Sequence, residues 1–504
     1  MIHSKLKPWA VYLTALCLWV SMPLATSAQN VTLSFPDRSF EVTGPLLGFD
    51  GQSYRVDTRF GVLTIAADSV TCSGTCPSSE TAPIIRLAGS PLMADLLIPA
   101  LVDAFARSQG LAAVPMDVGE GLGFQLASSN GQELALFIIS GAETAAGFEA
   151  LSRNEVDIVL ADRHPTPAER KAVKQAGLGD LRSPLRRRLI ARKTLRFYGA
   201  PMELSLPEFL QRAVSERSVL ALSREVPAIN AILADLERLG GGNSQARPLM
   251  GLPNSSAVSD ALKASPAALF LTLEQPDQSE FQPVPLDTGC GGLGQSHDVV
   301  APHPLNAHFW AYTAEPRLPD LARGFLTFVS SPDAQRIVDR AGFIDQRLQP
   351  IPLEREGHRL SRAVRELIAE LSLGDLQAAL EQLAGSDRLP LELRFREGSP
   401  ELTRESESLV RGLVAQLETG RYDGHAVLFV GLTGSAGAAA SNLLTAQRDA
   451  DLVRQSVIDA MTDDNAVLDF KSAGFGELFP IACGPTRWAR SINRLVEVWL
   501  SREP

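Results

Sequence analysis

Three stretches of the sequence carry hydroxyl or amide side chains where a helix is predicted to begin. They are Ser90 followed by Pro91, Thr144 three residues before Gly147, and Asn254, Ser255 and Ser256 before AVSDALKA (257–264). Such side chains cap helices, and the free backbone N–H groups beside them carry the positive end of the helix dipole. Several helix starts that meet in one cleft would bind a small oxyanion. Capping alone is the alternative for each start.

The elements that would position these residues alternate between strand and helix. IIRLAG (84–89), directly before Ser90, and VDIVLA (156–161) have the composition of buried strands. A helix follows the first strand, with apolar residues at helical spacing from Leu92 to Phe105. Over residues 83–350 this alternation predicts an α/β fold with a mostly parallel sheet.

Four segments of this region resemble the phosphate-type periplasmic solute-binding proteins in their order and spacing. They are RLAGSPLMADLLIPALVDAFARSQG (86–110), GFEALSRNEVDIVLADRHPTPAER (147–170), HPLNAHFWAYT (303–313) and FLTFVSSPDAQRIVDRAGFI (325–344). The resemblance implies a two-lobed periplasmic binding protein fold, phosphate or a related small oxyanion as ligand, and an inner-membrane ABC transporter as partner. The implied ligand contacts are Ser90, Thr144, Asp162, Ser255 and Ser256.

Asp162 matches a family position where some members carry a carboxylate. A carboxylate beside an anion is useful when the ligand carries a proton, because the carboxylate then accepts that hydrogen bond. This would select protonated phosphate over sulfate. The alternative is an ion pair between Asp162 and the adjacent Arg163. One departure from the family is clear, since its third helix start usually reads S-G-T whereas this chain reads RPLMGLPNSS (247–256).

The C-terminal segments resemble, in this order, the OmpA-like peptidoglycan-binding domain. They are LELRF (391–395), HAVLFVGLTGS (425–435), SNLLTAQRDADLV (441–453), SAGFGELFP (472–480) and INRLVEVWL (492–500). The resemblance implies an α+β domain over 388–504 that holds the diaminopimelate of peptidoglycan. The residues that it assigns to this contact are Thr433, Asn442, Arg448 and Arg494.

Two features weaken the predicted peptidoglycan contact. The family's turn carries an aspartate that accepts from the ammonium group of diaminopimelate, and this position is Gly434 here. An unpaired charged group costs about 1–3 kcal/mol, so the affinity should fall about tenfold to a hundredfold. Arg448 meets the family's arginine position only if one residue is deleted after Asn442, and otherwise Asp449 falls there.

The first 28 residues have the features of a signal peptide. Lys5 and Lys7 precede an apolar run from Trp9 to Val20, and small residues up to Ala28 offer a cleavage site. Its removal changes the formal net charge from −11 to −13, because two lysines are lost. Such acidity argues against nucleic acid as a partner. We therefore expect an exported, periplasmic protein that is associated with the cell envelope.

Residues 29–80 are predicted to form a small β module, since VTLSF (31–35) and SYRVDT (53–58) alternate in polarity. Cys72 and Cys76 are expected to form a disulfide in the oxidising periplasm, with two free thiols as the alternative. Residues 351–387 are predicted to be a polar helical linker, and GSDRLP (385–390) is predicted to connect it to the next domain. No metal site is predicted from His297, His303 and His308, and the sequence assigns no pairing to Cys290 and Cys483.

The sequence thus favours a phosphate-type binding protein that is attached to peptidoglycan by its C-terminal domain. The alternative is an envelope scaffold or assembly protein in which one or both binding sites have degenerated. An enzyme is not predicted, because the sequence contains no G-x-S-x-G, H-E-x-x-H, Walker or dinucleotide-binding motif. No cofactor is expected.

Overall fold

The computed structural model divides the chain into two compact units, residues 1–79 and residues 80–504. The predicted signal peptide lies outside the described residues, as do Cys290, His297 and His303. The structure describes residues 30–36, 40–49, 53–77, 82–119, 121–200, 204–205, 209, 219–240, 249–277, 281–284, 286–287, 305–314, 318–365, 371–435, 437–462, 468–484 and 486–502.

The N-terminal unit is an antiparallel sheet with the strand order β4-β3-β2-β1-β5. Alternating residues such as Val31 and Leu33 point into its small core. The predicted disulfide between Cys72 and Cys76 is present and closes the end of the last strand. The strands are β1 (Asn30–Phe35), β2 (Phe40–Phe49), β3 (Ser53–Thr58), β4 (Gly61–Ala66) and β5 (Thr71–Gly74).

The second unit begins with a seven-stranded sheet that forms the first lobe, in the order β11-β18-β10-β6-β9-β8-β7. Ile158 and Leu160 of β10 face one hydrophobic core, and Val159 and Ala161 face another, so both faces are covered. Such a sheet requires continuous apolar strands, as the sequence predicted. The elements are β6 (Ile84–Gly89), α1 (Pro91–Leu96), α2 (Ile98–Ser108), β7 (Ala112–Met116), β8 (Leu122–Ala127), β9 (Glu133–Gly141), α3 (Thr144–Ser152), β10 (Ile158–Ala161), α4 (Pro167–Gln175) and β11 (Arg187–Thr194).

The second lobe contains a four-stranded sheet in the order β12-β16-β14-β15. The chain enters this lobe after β11 and returns to the first lobe at β18, which gives the two-lobed α/β fold that was predicted. The elements are β12 (Arg196–Gly199), β13 (Leu204–Ser205), β14 (Val219–Leu222), α5 (Val226–Gly240), β15 (Leu249–Leu252), α6 (Ser255–Ala264), β16 (Leu269–Thr272), β17 (Leu286–Asp287), β18 (Asn306–Thr313), α7 (Asp320–Phe328) and α8 (Pro332–Arg340).

The C-terminal region forms an α+β domain around a sheet in the order β19-β20-β23-β21-β22. Residues 351–387 do more than connect the domains, because β19 pairs with β20, which already begins at Ser386. The elements are β19 (Ile351–Pro352), α9 (Gly357–Arg365), α10 (Leu373–Leu383), β20 (Ser386–Arg394), α11 (Arg404–Leu417), β21 (His425–Leu432), α12 (Ala439–Ala460), β22 (Asp469–Gly476), α13 (Arg487–Asn493) and β23 (Leu495–Arg502).

Glycines allow α12 to lie directly on this sheet. A Cβ atom at Gly431 of β21 would stand 1.9 Å from the carbonyl oxygen of Ala446, and one at Gly474 of β22 would stand 2.5 Å from the amide nitrogen of Gln447. Any side chain at these positions would push the helix away from the strands. The glycines therefore fix the position of α12, which carries two of the four predicted peptidoglycan contacts, Asn442 and Arg448.

The two-lobed region and the C-terminal domain share one hydrophobic core. It includes Leu87 of the first lobe, Ile229 of α5 and Trp488 of α13. Helix α5 contacts both β18 and α13. Among the described residues, every helix is too short or too polar to cross a bilayer. Within the same ranges, no three His, Cys, Asp or Glu side chains lie close enough together to hold a metal ion.

Candidate functional site

Ser90, Thr144 and Asp162 meet at one edge of the first-lobe sheet. Ser90 follows β6, Asp162 follows β10, and Thr144 is the first residue of α3, which comes after β9. These three strands are parallel neighbours, and the carboxyl ends of parallel strands are where α/β folds bind ligands. Gly147 lets α3 approach the sheet, since a Cβ atom there would stand 2.8 Å from the carbonyl oxygen of Ala88.

The three side chains form a compact, solvent-shielded polar cluster. The hydroxyl of Thr144 donates to Asp162 Oδ1 at 2.8 Å, and the backbone N–H of Asp162 donates to Thr144 Oγ1 at 3.2 Å. Ser90, Thr144 and Asp162 are 0%, 2% and 4% exposed. Ser90 Oγ and Asp162 Oδ2 have no hydrogen-bond partner among the described residues. The Ser90 hydroxyl nevertheless lies close enough to Asp162 to lower the pKa of that carboxyl, so the two atoms face one another across the cluster.

The pKa and the ion-pair partners of Asp162 are set by its buried position. Burial raises the pKa of Asp162, and the neighbouring hydroxyls of Thr144 and Ser90 offset only part of this effect. The alternative prediction of an ion pair with Arg163 is wrong. Arg163 instead makes a two-pronged ion pair with Glu169, with N–O distances of 2.7 and 2.8 Å. Asp162 therefore keeps an acceptor that no arginine occupies.

Ser255 and Ser256 do not belong to this cluster. They begin α6, which packs against the sheet of the second lobe, and both are exposed. The side chain of Asn254 accepts a hydrogen bond from the backbone N–H of Ala257 at 2.9 Å, which is ordinary helix capping. Their role as ligand contacts stays a prediction.

The second lobe contains polar residues that sequence reasoning missed. Glu225 stands before α5 and is fully buried, and its two carboxylate oxygens lack a hydrogen-bond partner among the described residues. Burial raises the pKa of Glu225 to about 7. The neighbouring Arg224 makes an ion pair with Glu274 at 2.7 Å. The sequence SREVP (223–227) could have indicated this helix start, because a serine shortly before a proline also marks the helix start at Ser90.

The predicted peptidoglycan contact begins at Thr433 and Gly434, directly after β21. The backbone N–H of Thr433 donates to the carbonyl oxygen of Gly476 at 2.8 Å. A Cβ atom at Gly434 would stand 2.4 Å from Arg490 Cα, because α13 crosses this turn. The helix therefore occupies the space that an aspartate side chain would need.

The remaining predicted contacts are only partly brought together. Asn442 is buried beside Gly476 and donates to the carboxylate of Glu477. Arg448 is exposed, and the buried position one residue later is held by Asp449. The role of Arg448 in this contact stays a prediction.

The guanidinium of Arg494 already has a partner inside the protein. Its guanidinium forms two hydrogen bonds with Asp449, at 2.7 and 3.0 Å, and lies over the ring of Phe395 at 4.8 Å. Asp449 is completely buried. A carboxylate from outside would have to displace this internal pair.

The C-terminal domain contacts the first lobe through charged side chains of α11. His164 Nε2 lies 2.5 Å from Glu405 Oε1, and Arg187 donates to the carboxylate of Glu407. His308, on β18 nearby, has its pKa lowered to about 4 by burial. Cys483 of the C-terminal domain is disulfide-bonded.

Comparisons with known proteins found structural similarity only. No protein-family model and no curated protein matches the chain. It is similar to an ABC-type phosphate transport receptor from Vibrio cholerae, at 12% identity over 52% of this chain and 99% of the other, with a TM-score of 0.38. PstS from Borrelia burgdorferi matches at 11% identity over 52% and 98%, with a TM-score of 0.33. The peptidoglycan-associated lipoprotein from Burkholderia pseudomallei matches at 19% identity over 22% and 89%, with a TM-score of 0.20.

Proposed function

We propose that this chain is a periplasmic binding protein for phosphate or a related small oxyanion, which it would pass to an inner-membrane transporter. The observation that supports the proposal is the cluster of Ser90, Thr144 and Asp162. A buried polar atom without a partner costs about 1–3 kcal/mol, and this cluster holds two. Native proteins rarely keep such atoms unless a water, an ion or a ligand satisfies them.

The chemistry of the two unpartnered atoms fits a protonated oxyanion. The hydroxyl of Ser90 can donate to an anionic oxygen, and Asp162 Oδ2 can accept from a P–OH group. Sulfate carries no such proton at neutral pH, so it would face the Asp162 carboxylate without a hydrogen bond. The site should therefore prefer phosphate and arsenate over sulfate.

Calorimetric titration of the full chain without residues 1–28 tests this proposal. Phosphate and arsenate should release or absorb heat with one site per chain, and sulfate should bind at least about tenfold more weakly, because one charge-assisted hydrogen bond is lost. Asp162→Asn should weaken phosphate binding and reduce the preference over sulfate. Asp180→Asn, the same change at an exposed ion pair, is the matched control. No heat with any of the three anions would overturn the proposal.

A second candidate is an envelope scaffold, and specific contacts favour it for the C-terminal domain. Helix α13 fills the space beside Gly434, and Asp449 neutralises Arg494. The first-lobe cluster also favours the scaffold, because a ligand from solvent could reach the buried side chains of Ser90, Thr144 and Asp162 only if the chain around them moved. Peptidoglycan attachment, the primary prediction for this domain, would require these internal contacts to open. Sedimentation with purified sacculi separates the two: a pelleted protein supports attachment, and a protein left in the supernatant supports the scaffold.

A further inference from the structure

The segment from Asp162 to His164 joins the proposed ligand cluster directly to the C-terminal domain. Asp162 belongs to the cluster, and His164, two residues later, contacts Glu405 of α11. We propose that His164 and Glu405 are positioning residues for Asp162, so that the C-terminal domain sets the anion affinity of the first lobe. This inference rests on the proposed oxyanion site.

His164 is held on both sides of its ring. Nδ1 lies 2.5 Å from the hydroxyl of Tyr312, and Nε2 lies 2.5 Å from Glu405 Oε1. The ring also packs against Trp310, with 4.9 Å between ring centroids. His164 and Glu405 are 26% and 27% exposed, so solvent weakens their hydrogen bond only in part. Two short hydrogen bonds fix the imidazole relative to both domains.

Glu405 is suited to hold this contact as a carboxylate. Burial by itself would raise the pKa of Glu405, but the hydrogen bond from His164 lowers it well below its ordinary value. Glu405 also lies in the first turn of α11, where the helix dipole favours an anion. The acceptor for His164 is therefore present over the whole physiological pH range.

Hydrogen bonds of Arg163 restrain the backbone between His164 and Asp162. Arg163 is clamped by Glu169, and its guanidinium also donates to the carbonyl oxygen of His164 at 3.0 Å. Glu169 in turn forms a reciprocal cap with Thr166 at the start of α4. Because the guanidinium of Arg163 is held by both Glu169 and the carbonyl oxygen of His164, we expect a shift of His164 to move Asp162 relative to Ser90 and Thr144.

The same helix offers a matched control. Glu407 lies two residues after Glu405 on α11. It forms an ion pair with Arg187 of β11 and not with the segment 162–164. Glu407→Gln removes the same charge from the same interface. It should lower thermal stability, because the Arg187 side chain is only 2% exposed and would lose its carboxylate.

The experiment compares the full chain with Glu405→Gln and Glu407→Gln. Inorganic phosphate is titrated by calorimetry, and amide hydrogen exchange is measured without ligand. Glu405→Gln should weaken phosphate binding about fivefold or more, which is within the usual range of coupling between sites. It should also speed exchange in residues 158–163, whereas Glu407→Gln should lower the melting temperature and change neither quantity.

Coupling between two sites acts in both directions. If Glu405 affects phosphate binding, phosphate should in turn slow amide exchange in the first turn of α11. Wild-type affinity and exchange in Glu405→Gln would overturn the inference. An equal loss of affinity in both variants would also overturn it, because a general loosening of the interface would then explain the effect. If the wild type binds no anion but exchange responds only to Glu405→Gln, the oxyanion function fails and the positioning contact stands.

Discussion

Restoring an aspartate at Gly434 should damage the C-terminal domain and leave peptidoglycan binding unrepaired. An ideal Cβ atom at this position stands 2.4 Å from Arg490 Cα and 2.9 Å from the carbonyl oxygen of Arg490. Both atoms belong to the backbone, so no rotamer change relieves the overlap. Helix α13 cannot slide away freely, because Trp488 and Ile492 are buried at 4% and 3% exposure.

Overpacking of a filled site typically costs about 1–3 kcal/mol. We expect Gly434→Ala and Gly434→Asp to lose a similar amount of stability, because the Cβ atom causes the overlap in both. Thermal unfolding of the full chain measures this loss. Ser435→Asp is the matched control, since Ser435 is exposed and the variant adds the acid without the overlap. It should unfold like the wild type.

Sedimentation with sacculi then separates two explanations for the missing aspartate. If the domain has lost only its ammonium partner, Gly434→Asp should be stable and should pellet. If α13 fills the site, Gly434→Asp should be destabilised and should stay in the supernatant. A Gly434→Asp protein that melts with the wild type and pellets with sacculi would refute the reasoning about α13.

Three further predictions concern buried ionisable groups. The pKa of His308 is about 4 in the folded protein and about 6.5 in the unfolded chain, so the unfolded chain takes up a proton first as the pH falls. The free energy of unfolding should therefore be highest above about pH 6.5 and fall by at most about 3 kcal/mol as the pH drops toward 4. In His308→Gln, the free energy of unfolding should depend less on pH over this range. The pKa of Glu225 is raised to about 7 by burial, so the folded protein loses stability as the pH rises from about 4.5 to 7 and the buried carboxyl must ionise. At pH 8, Glu225→Gln should be about 3 kcal/mol more stable than the wild type, as measured by thermal or denaturant unfolding. Asp449→Ala should cost about 3 kcal/mol, because Arg494 loses its partner, and adding Arg494→Met should recover most of it.

The first-lobe cluster could be predicted because it depends on local signals. Each of its residues directly follows an apolar strand or begins a helix, and parallel strands bring their carboxyl ends together. The sequence could not show that Arg163 pairs with Glu169 instead of Asp162. That choice depends on the turn into α4, which brings Glu169 back toward Arg163.

The linker interpretation of GSDRLP (385–390) shows why composition misleads at strand edges. Gly, Ser, Asp and Pro are typical of turns, yet Ser386–Arg394 forms β20. Proline cannot donate to a sheet ladder. The pairing of β20 with β23 shifts register between Arg388 and Glu392, where Pro390 lies. An irregularity in the strand accommodates the proline, and only the paired structure reveals it.

The crowding at Gly434 also lay beyond the sequence. A glycine in a turn is ordinarily explained by backbone freedom, but no left-handed conformation is required here, and the reason is a helix nearly sixty residues away in the chain. The same helix, α13, packs against α5 of the second lobe. The turn after β21 and the second lobe are therefore linked through one short helix.

These contacts decide how binding must be measured. A fragment ending at residue 350 would leave Arg187 without Glu407, His164 without Glu405, and the apolar face of α5 without α13. Only the loss of Glu405 falls within the segment that carries Asp162. A weak or absent signal from such a fragment would report the missing domain rather than the oxyanion site. Only the full chain, with single substitutions at the interface, separates the affinity of the cluster from the contribution of the C-terminal domain.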